Sequence, residues 1–194
     1  MKMSSLFARI TFVSLVVMCS GCVTTEQSYS SGQDGAVDCK DFRIQSSRDD
    51  MKPATEKSCW IATANTVQHV ATGYGRHFES GTGYMNTLLY AAGTHTYILH
   101  RDTQALLVDF PQVKKEATGW EELPPVEANG RRFKLQKFSL NESKQDCIGY
   151  AAYGNSVYNG YNSILSGYSC KFRNQGKMQI PDIQKDLDAL RVRM

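Results

Sequence analysis

The sequence has little net charge and no long apolar run, and each absence excludes a class of function. The formal net charge is +3 over 194 residues, with basic and acidic residues mixed along the chain. Because nucleic-acid binding depends on clustered Lys and Arg, this balance argues against a nucleic-acid partner. The apolar run at residues 10–18 is far shorter than the roughly 20 residues that a membrane-spanning helix needs.

Metal and cofactor motifs are also missing. Downstream of residue 22, no two cysteines have the CxxC spacing of zinc ribbons or redox dithiols. His95 and His100 lie five positions apart on one predicted strand, hence on opposite faces, with no carboxylate at ligand spacing. The glycines of residues 73–83 follow a predicted helix, whereas those of a phosphate-binding loop precede one. We therefore expect no metal and no cofactor.

The first 22 residues contain a charged, an apolar and a small-residue segment in the order typical of a bacterial export signal. Lys2 and Arg9 supply positive charge, residues 10–18 are apolar, and a small-residue pair then precedes Cys22. The ending Cys19-Ser20-Gly21-Cys22 resembles the lipobox of bacterial lipoproteins, although Cys19 stands where that family usually has an aliphatic residue. The resemblance implies cleavage before Cys22 and acylation of this cysteine.

This resemblance implies a layout for the whole chain. Residues 1–21 would be the signal peptide, 22–38 a lipidated flexible tether rich in Ser, Thr, Gly and Gln, and 39–194 a single domain. Val23 follows the cysteine where an Asp would favour the inner membrane, so we expect anchoring in the outer membrane, facing the periplasm. The alternative is an ordinary cleaved signal that releases a soluble protein.

The remaining cysteines predict two disulfides. With Cys19 removed and Cys22 lipidated, an even number remains in an oxidising compartment. Three connectivities are possible. We favour the two local pairings, because each closes a loop of about 20 to 25 residues, worth about 3 kcal/mol in the chain-entropy model. They are Cys39–Cys59 and Cys147–Cys170.

The hydrophobic patterns predict an α+β fold: an antiparallel sheet of about four to six strands, stabilised by the disulfides, with helices packed on one face. Apolar residues at three- and four-residue steps predict helices at 54–70 and 180–192. Residues 85–92 are predicted as a short helix and 113–129 as an exposed loop. The predicted strands are 94–100, 105–110, 131–140, 146–153 and 164–172, with a turn at Asn129-Gly130.

One motif suggests catalysis. Ser58-Cys59-Trp60 resembles the Ser-Cys-Trp around the nucleophile of papain-like cysteine proteases, in which a helix N-terminus and a histidine stabilise the thiolate. The resemblance implies Cys59 as nucleophile, His95 or His100 as base, and Asn129 or Asn141 orienting that base. Glu56-Lys57 stand where the family has a glycine and a second cysteine. We keep a thiol hydrolase as the alternative function.

Tyrosine suggests binding instead. Ten tyrosines occur, five of them between Tyr150 and Tyr168 among Gly, Asn and Ser. Tyr-rich loops are typical of binding surfaces, although the same residues also suit strands. We therefore expect a non-catalytic envelope lipoprotein with a binding or assembly role, its partner an envelope protein complex or peptidoglycan. The segments 73–84 and 154–168 are the candidate binding surfaces.

Overall fold

The structure, a computed structural model, describes residues 35–40, 42–53, 58–65 and 70–193. The predicted signal peptide, Cys22 and most of the predicted tether therefore lie outside the described residues. The strands are β1 (Gly35–Val37), β2 (Ile44–Ser46), β3 (Lys52–Pro53), β4 (Cys59–Asn65), β5 (Val70–Glu79), β6 (Gly83–Ala92), β7 (Ala117–Ala128), β8 (Arg131–Leu140), β9 (Gln145–Tyr153), β10 (Ser156–Val157), β11 (Gly160–Tyr161), β12 (Ser163–Lys171) and β13 (Leu190–Val192). The helices are α1 (Thr103–Leu107), α2 (Pro111–Glu116) and α3 (Ile180–Ala189), with a 3₁₀ turn at Arg173–Gln175.

An antiparallel sheet dominates the fold, as predicted. Its strand order is β1-β4-β5-β6-β12-β9-β8-β7, and the short β3 pairs with β5. Two meanders, β4-β5-β6 and β7-β8-β9, lie on either side of β12, which pairs with both β6 and β9. With eight strands on this path, the sheet is larger than the predicted four to six, and the protein is richer in β-structure than the predicted α+β fold.

The helices lie on both faces of the sheet, which corrects the prediction of one face. On one face, Ile183 and Leu187 of α3 pack in a core with Phe133 and Tyr150. On the other, α1 and α2 contribute to a second core around Phe138, together with Leu107, Val113 and Tyr168. The central strands are therefore covered on both sides, and their alternating residues enter two different cores.

Two predicted helices are strands. The first, 54–70, contains β4 and the start of β5, and the second, 85–92, belongs to β6. The physical reason is visible in β6, where Leu88 packs in one core and its neighbour Leu89 in the other. A strand buried on both faces loses the alternation of apolar and polar residues, so its apolar run resembles that of a short helix.

The middle of the chain also differs from prediction. The predicted hairpin of 94–100 and 105–110 is replaced by α1 and by a single bridge between Ile98 and Tyr161. The predicted loop 113–129 is the end of α2 followed by β7. Because β7 pairs only with β8 on the described path and carries two register shifts, its irregular edge accommodates the Pro124-Pro125 pair.

Several local predictions are confirmed. Residues predicted as the last three strands form β8, β9 and β12. Asn129 and Gly130 adopt φ of 51° and 68° between β7 and β8, as a two-residue hairpin turn with both φ positive requires. The C-terminal helix starts at Ile180, as predicted, but ends at Ala189, because the following residues pair with β2 as β13.

Both predicted cysteine pairings are present at disulfide distance. The Cα atoms of Cys147 and Cys170 are 4.3 Å apart, on directly paired positions of β9 and β12. Those of Cys39 and Cys59 are 5.4 Å apart, which ties the N-terminal segment to β4. Residues 35–37, within the range predicted as tether, already pair with β4 as β1. Within the described ranges, no helix is long and apolar enough to cross a membrane.

Candidate binding cleft

A cleft of about 650 Å³ opens on the face of the sheet that carries α2. Alternate residues of neighbouring strands point the same way, so β4, β5, β6 and β12 each contribute side chains to it. We call this site the aromatic cleft; its principal lining residues are Trp60, His77, Tyr84, Asn86, Gln112 and Tyr168. Its volume falls within the usual range of small-molecule sites.

Trp60 forms one wall of the aromatic cleft. It pairs with Gly75 across β4 and β5, and its indole lies directly over that glycine. A Cβ atom on Gly75 would overlap Trp60, with the indole Cδ2 only 2.5 Å away. Glycine at this position therefore lets the indole lie flat on the sheet. The side chain remains 37% exposed, which is uncommon for tryptophan and leaves ring surface at the cleft.

Aromatic rings form the floor. The Tyr84 ring lies 6.2 Å from the Tyr168 ring in an edge-to-face arrangement and 6.3 Å from the Phe172 ring. Phe110, just before α2, makes a second edge-to-face contact with Tyr168 at 5.3 Å. Such pairs add to the stabilisation from burial alone, so the floor is held in place without a ligand.

Polar side chains are arranged over this floor. The Tyr84 hydroxyl donates to Oε1 of Gln145 at 3.1 Å, and the Tyr168 hydroxyl donates to Oε1 of Gln112 at 3.2 Å. His77 contacts Oδ1 of Asn86 through Nδ1 at 2.8 Å and Oε1 of Glu79 through Nε2 at 3.2 Å. The Gln145 amide nitrogen donates to the Lys171 carbonyl at 3.3 Å, so the amide nitrogens of Asn86 and Gln112 supply the remaining amide donors.

The aromatic cleft carries little charge. Burial raises the pKa of Tyr84 to about 12 and also raises the pKa of Tyr168, so both phenols stay neutral and remain donors at physiological pH. Among the described residues that line the cleft, none is lysine or arginine, and Glu79 is the one carboxylate. This carboxylate already contacts His77. The site therefore offers rings and neutral hydrogen-bonding groups.

The structure does not assemble the predicted thiol site. Cys59 is fully buried, paired with Cys39, and on a strand, whereas the motif places its cysteine at a helix start. His95 is exposed in a turn, and His100 stacks on Tyr153 of β9 at 4.9 Å. Strands β4 and β9 are four spacings apart in the sheet, roughly 19 Å at the usual strand separation.

The two candidate orienting residues have other partners. Asn129 donates through Nδ2 to the carbonyls of Leu187 and Leu190, each at 2.8 Å, and so caps the end of α3. Asn141 accepts a hydrogen bond from Thr118 at 2.8 Å. Nor does the described part of the chain contain three or more His, Cys, Asp or Glu side chains placed to hold a metal ion.

The tyrosines of the predicted binding surfaces differ in their exposure to solvent. Tyr150 is fully buried, and Tyr168 is nearly so at the bottom of the aromatic cleft. Tyr158, on the short hairpin of β10 and β11, is 76% exposed. Segment 73–84 contributes to the cleft as a strand and turn and not as the predicted irregular segment. Sequence analysis does not identify Gln112, since a single amide between a predicted strand and a predicted loop carries no local signal.

A second cavity, of about 240 Å³, lies on the α3 face. Its charged residues pair with one another: Arg48 contacts Asp186, and Lys171 contacts Asp182 at 2.7 Å. Asp186 also accepts a hydrogen bond from Ser169 at 2.7 Å, and burial raises its pKa. These contacts connect the segment that follows β2 to β12 and α3, so they serve the fold, and the aromatic cleft is the stronger candidate site.

The sequence matches no protein-family model, and searches among curated proteins and solved structures find no match either. The function of this protein is therefore inferred from its own residues and geometry.

Proposed function

We propose that this protein is a lipoprotein of the bacterial cell envelope, anchored through Cys22 and acting by binding through the aromatic cleft. The observation that carries the binding role is the exposed indole of Trp60 beside a preformed floor of rings and neutral amides. Pockets with apolar walls and a few converging polar groups are the usual form of ligand sites. The cleft has no nucleophile of the predicted kind, because Cys59 is buried and paired.

The anchor and location are supported by the order of the first 22 residues and by the cysteine usage. Acylation with two or more chains gives stable membrane attachment, at about 0.8 kcal/mol per buried CH₂. Two cysteine pairs at disulfide distance are consistent with an oxidising compartment such as the periplasm. We infer that residues 23–34 separate the domain from the outer membrane, with the cleft open to the periplasm.

The anchor is tested by Cys22→Ser in the native host. We expect an uncleaved precursor or a released protein that no longer incorporates labelled fatty acid, because serine offers no thiol for acylation. Fractionation of the envelope and palmitate labelling measure the two effects. Unchanged labelling and unchanged retention in the outer-membrane fraction would contradict the proposal, and Cys19→Ser serves as the matched control that should be processed normally.

The binding role is tested by velocity sedimentation of gently solubilised envelopes. We expect the wild-type chain to sediment with its partner, ahead of the monomer. For Trp60→Ala we expect at least ten times as much protein at the monomer position as for the wild type, because the substitution removes the exposed ring. Gly75→Ala should have the same effect while keeping the tryptophan, since its Cβ would displace the indole.

Gly73→Ala is the matched control for that experiment. Gly73 lies on the same strand and face as Gly75, but a Cβ there would meet its nearest neighbours at 3.5 Å, an ordinary contact. We expect this variant to sediment like the wild type. If the wild-type chain sediments only as a monomer, or if both glycine variants behave alike, the proposed binding role of the aromatic cleft is wrong.

A further inference from the structure

We propose that the ligand of the aromatic cleft is a neutral pyranose unit of an envelope glycan, bound with one face of the sugar ring against Trp60. This inference rests on the proposed function and gives its ligand a chemical class. Three features of the cleft favour this ligand: an exposed flat ring, planar neutral hydrogen-bonding groups, and the near absence of charge among the described lining residues.

The exposed flat ring is the indole of Trp60. A pyranose presents axial C–H groups on one face, and this weakly apolar surface has the size and flatness of an indole. Because Gly75 has no side chain, the Trp60 indole lies against the β5 backbone with its other face available to a ligand. A tryptophan side chain has only two rotatable bonds, so binding against it costs little side-chain entropy. A tryptophan serving only the core would be covered, whereas Trp60 is 37% exposed.

The hydrogen-bonding groups match hydroxyl and acetamido substituents. Each sugar hydroxyl donates once and accepts twice, so it pairs best with amides that offer both functions. Asn86 and Gln112 provide such amides, and their oxygens are oriented by His77 and Tyr168. Tyr84 adds a phenol that burial keeps neutral. The fold thus places these amides and this phenol around the position where the edge of the sugar ring would lie.

Charge distinguishes this ligand class from others. A phosphate or carboxylate ligand would face Glu79 with no lysine or arginine among the described lining residues to bind it. A cationic ligand would find one carboxylate, which already contacts His77 at 3.2 Å. A neutral, hydroxyl-rich ring needs neither partner. The composition of the site therefore favours a neutral glycan over a charged peptide or a lipid phosphate group.

The test is a titration of the full chain, in a detergent without sugar groups, with the tetrasaccharide of N-acetylglucosamine. The chain has two tryptophans, which give separate indole N–H signals in an NMR spectrum. Trp120 on β7 serves as the internal reference; its ring lies 4.8 Å from the Phe138 ring on β8, at an interplanar angle of 33°. We expect the Trp60 signal to shift with saturation while the Trp120 signal stays constant.

Variants assign the effect to the cleft. We expect Trp60→Ala to weaken the tetrasaccharide affinity at least tenfold, and Gln112→Leu, of similar size but without the amide, to weaken it about fivefold. Tyr158→Ala, which removes an exposed ring outside the cleft, should leave the affinity unchanged. Saturable binding that survives Trp60→Ala, or a shift of both indole signals together, would overturn the assignment of the sugar to this site.

The sedimentation experiment separates the two proposals. If the tetrasaccharide releases the wild-type chain from its partner, the glycan assignment is supported. If the chain sediments with a partner through Trp60 but neither binds nor is released by the sugar, the glycan assignment is wrong and the binding role stands. If the chain has no partner that depends on Trp60, both fail.

Discussion

Replacing Cys147 and Cys170 together with alanine is expected to lower the free energy of unfolding by about 3 kcal/mol. The two residues are 23 positions apart, and the bond between them restricts the unfolded chain to a closed loop. Both side chains are buried in the core beneath α2, so the substitution also removes packed sulfur atoms from that core. The native strands stay paired, because β12 has a partner on each side.

Urea unfolding of the oxidised wild type and of the double variant measures this loss. The Cys39→Ala, Cys59→Ala double variant is the matched comparison, since its loop of similar length predicts a similar entropic loss. Treating the wild type with a thiol reductant should lower its midpoint, while the midpoint of a variant lacking all four cysteines should not respond. An unchanged midpoint for the Cys147/Cys170 variant would contradict the predicted contribution of this bond.

Gly167→Ala is expected to lower the free energy of unfolding by about 3 kcal/mol, although it adds a single methyl group. A Cβ on Gly167 would overlap the backbone oxygen of Asn86 on β6 and the phenol of Tyr150 on β9. Tyr150 is fully buried, and its hydroxyl hydrogen-bonds Oγ1 of Thr87 at 2.8 Å. The phenol therefore cannot move aside without losing that bond, and the strand cannot move because both neighbours are fixed.

Gly81→Ala is the matched control, because a Cβ there would meet no atom within 4 Å. We expect a change within about 0.5 kcal/mol for this exposed turn residue. Chemical denaturation of both variants, with a check that the denaturant dependence is unchanged, makes the comparison. Equal stabilities for the two variants would show that the centre of the sheet is less tightly packed around β12 than the structure indicates.

Strand β8, which sequence analysis identified correctly, has a visible local cause. Residues 131–140 include charged side chains at the exposed positions of β8, so period-two alternation survives. Strand β6 lacks this signal, because its alternate residues enter cores on opposite faces. In β4 and β5 one face enters the core and the other carries Trp60 and glycines at the aromatic cleft, so neither face shows a run of charged residues. Residues 54–70 additionally carry small and apolar side chains at helical spacing, and a local pattern cannot tell a helix from a strand with apolar residues on both faces.

The aromatic cleft depends on distant partners even more strongly. Trp60 meets Gly75 through the register of β4 on β5, and Tyr84 meets Tyr168 because β12 pairs with β6. Gln112 joins them from α2, which is distant in sequence from both Tyr84 and Tyr168. No short stretch of sequence contains two of these residue pairs, so the residues appear unrelated until the strand order places them on one face.

The sequence by itself determined what short-range chemistry controls: the signal-like first 22 residues, the turn at Asn129-Gly130 and the start of α3. Among the three possible cysteine connectivities it favoured the two local pairings that close short loops. Only the tertiary structure decided that, in the described part of the chain, eight strands form the main path of the sheet with helices on both faces, and that Trp60 lies exposed above a floor of rings. The physical reason is that hairpin turns, helix starts and loop closure act over a few to about 25 residues. Burial on two faces and strand order are decided by contacts between distant segments.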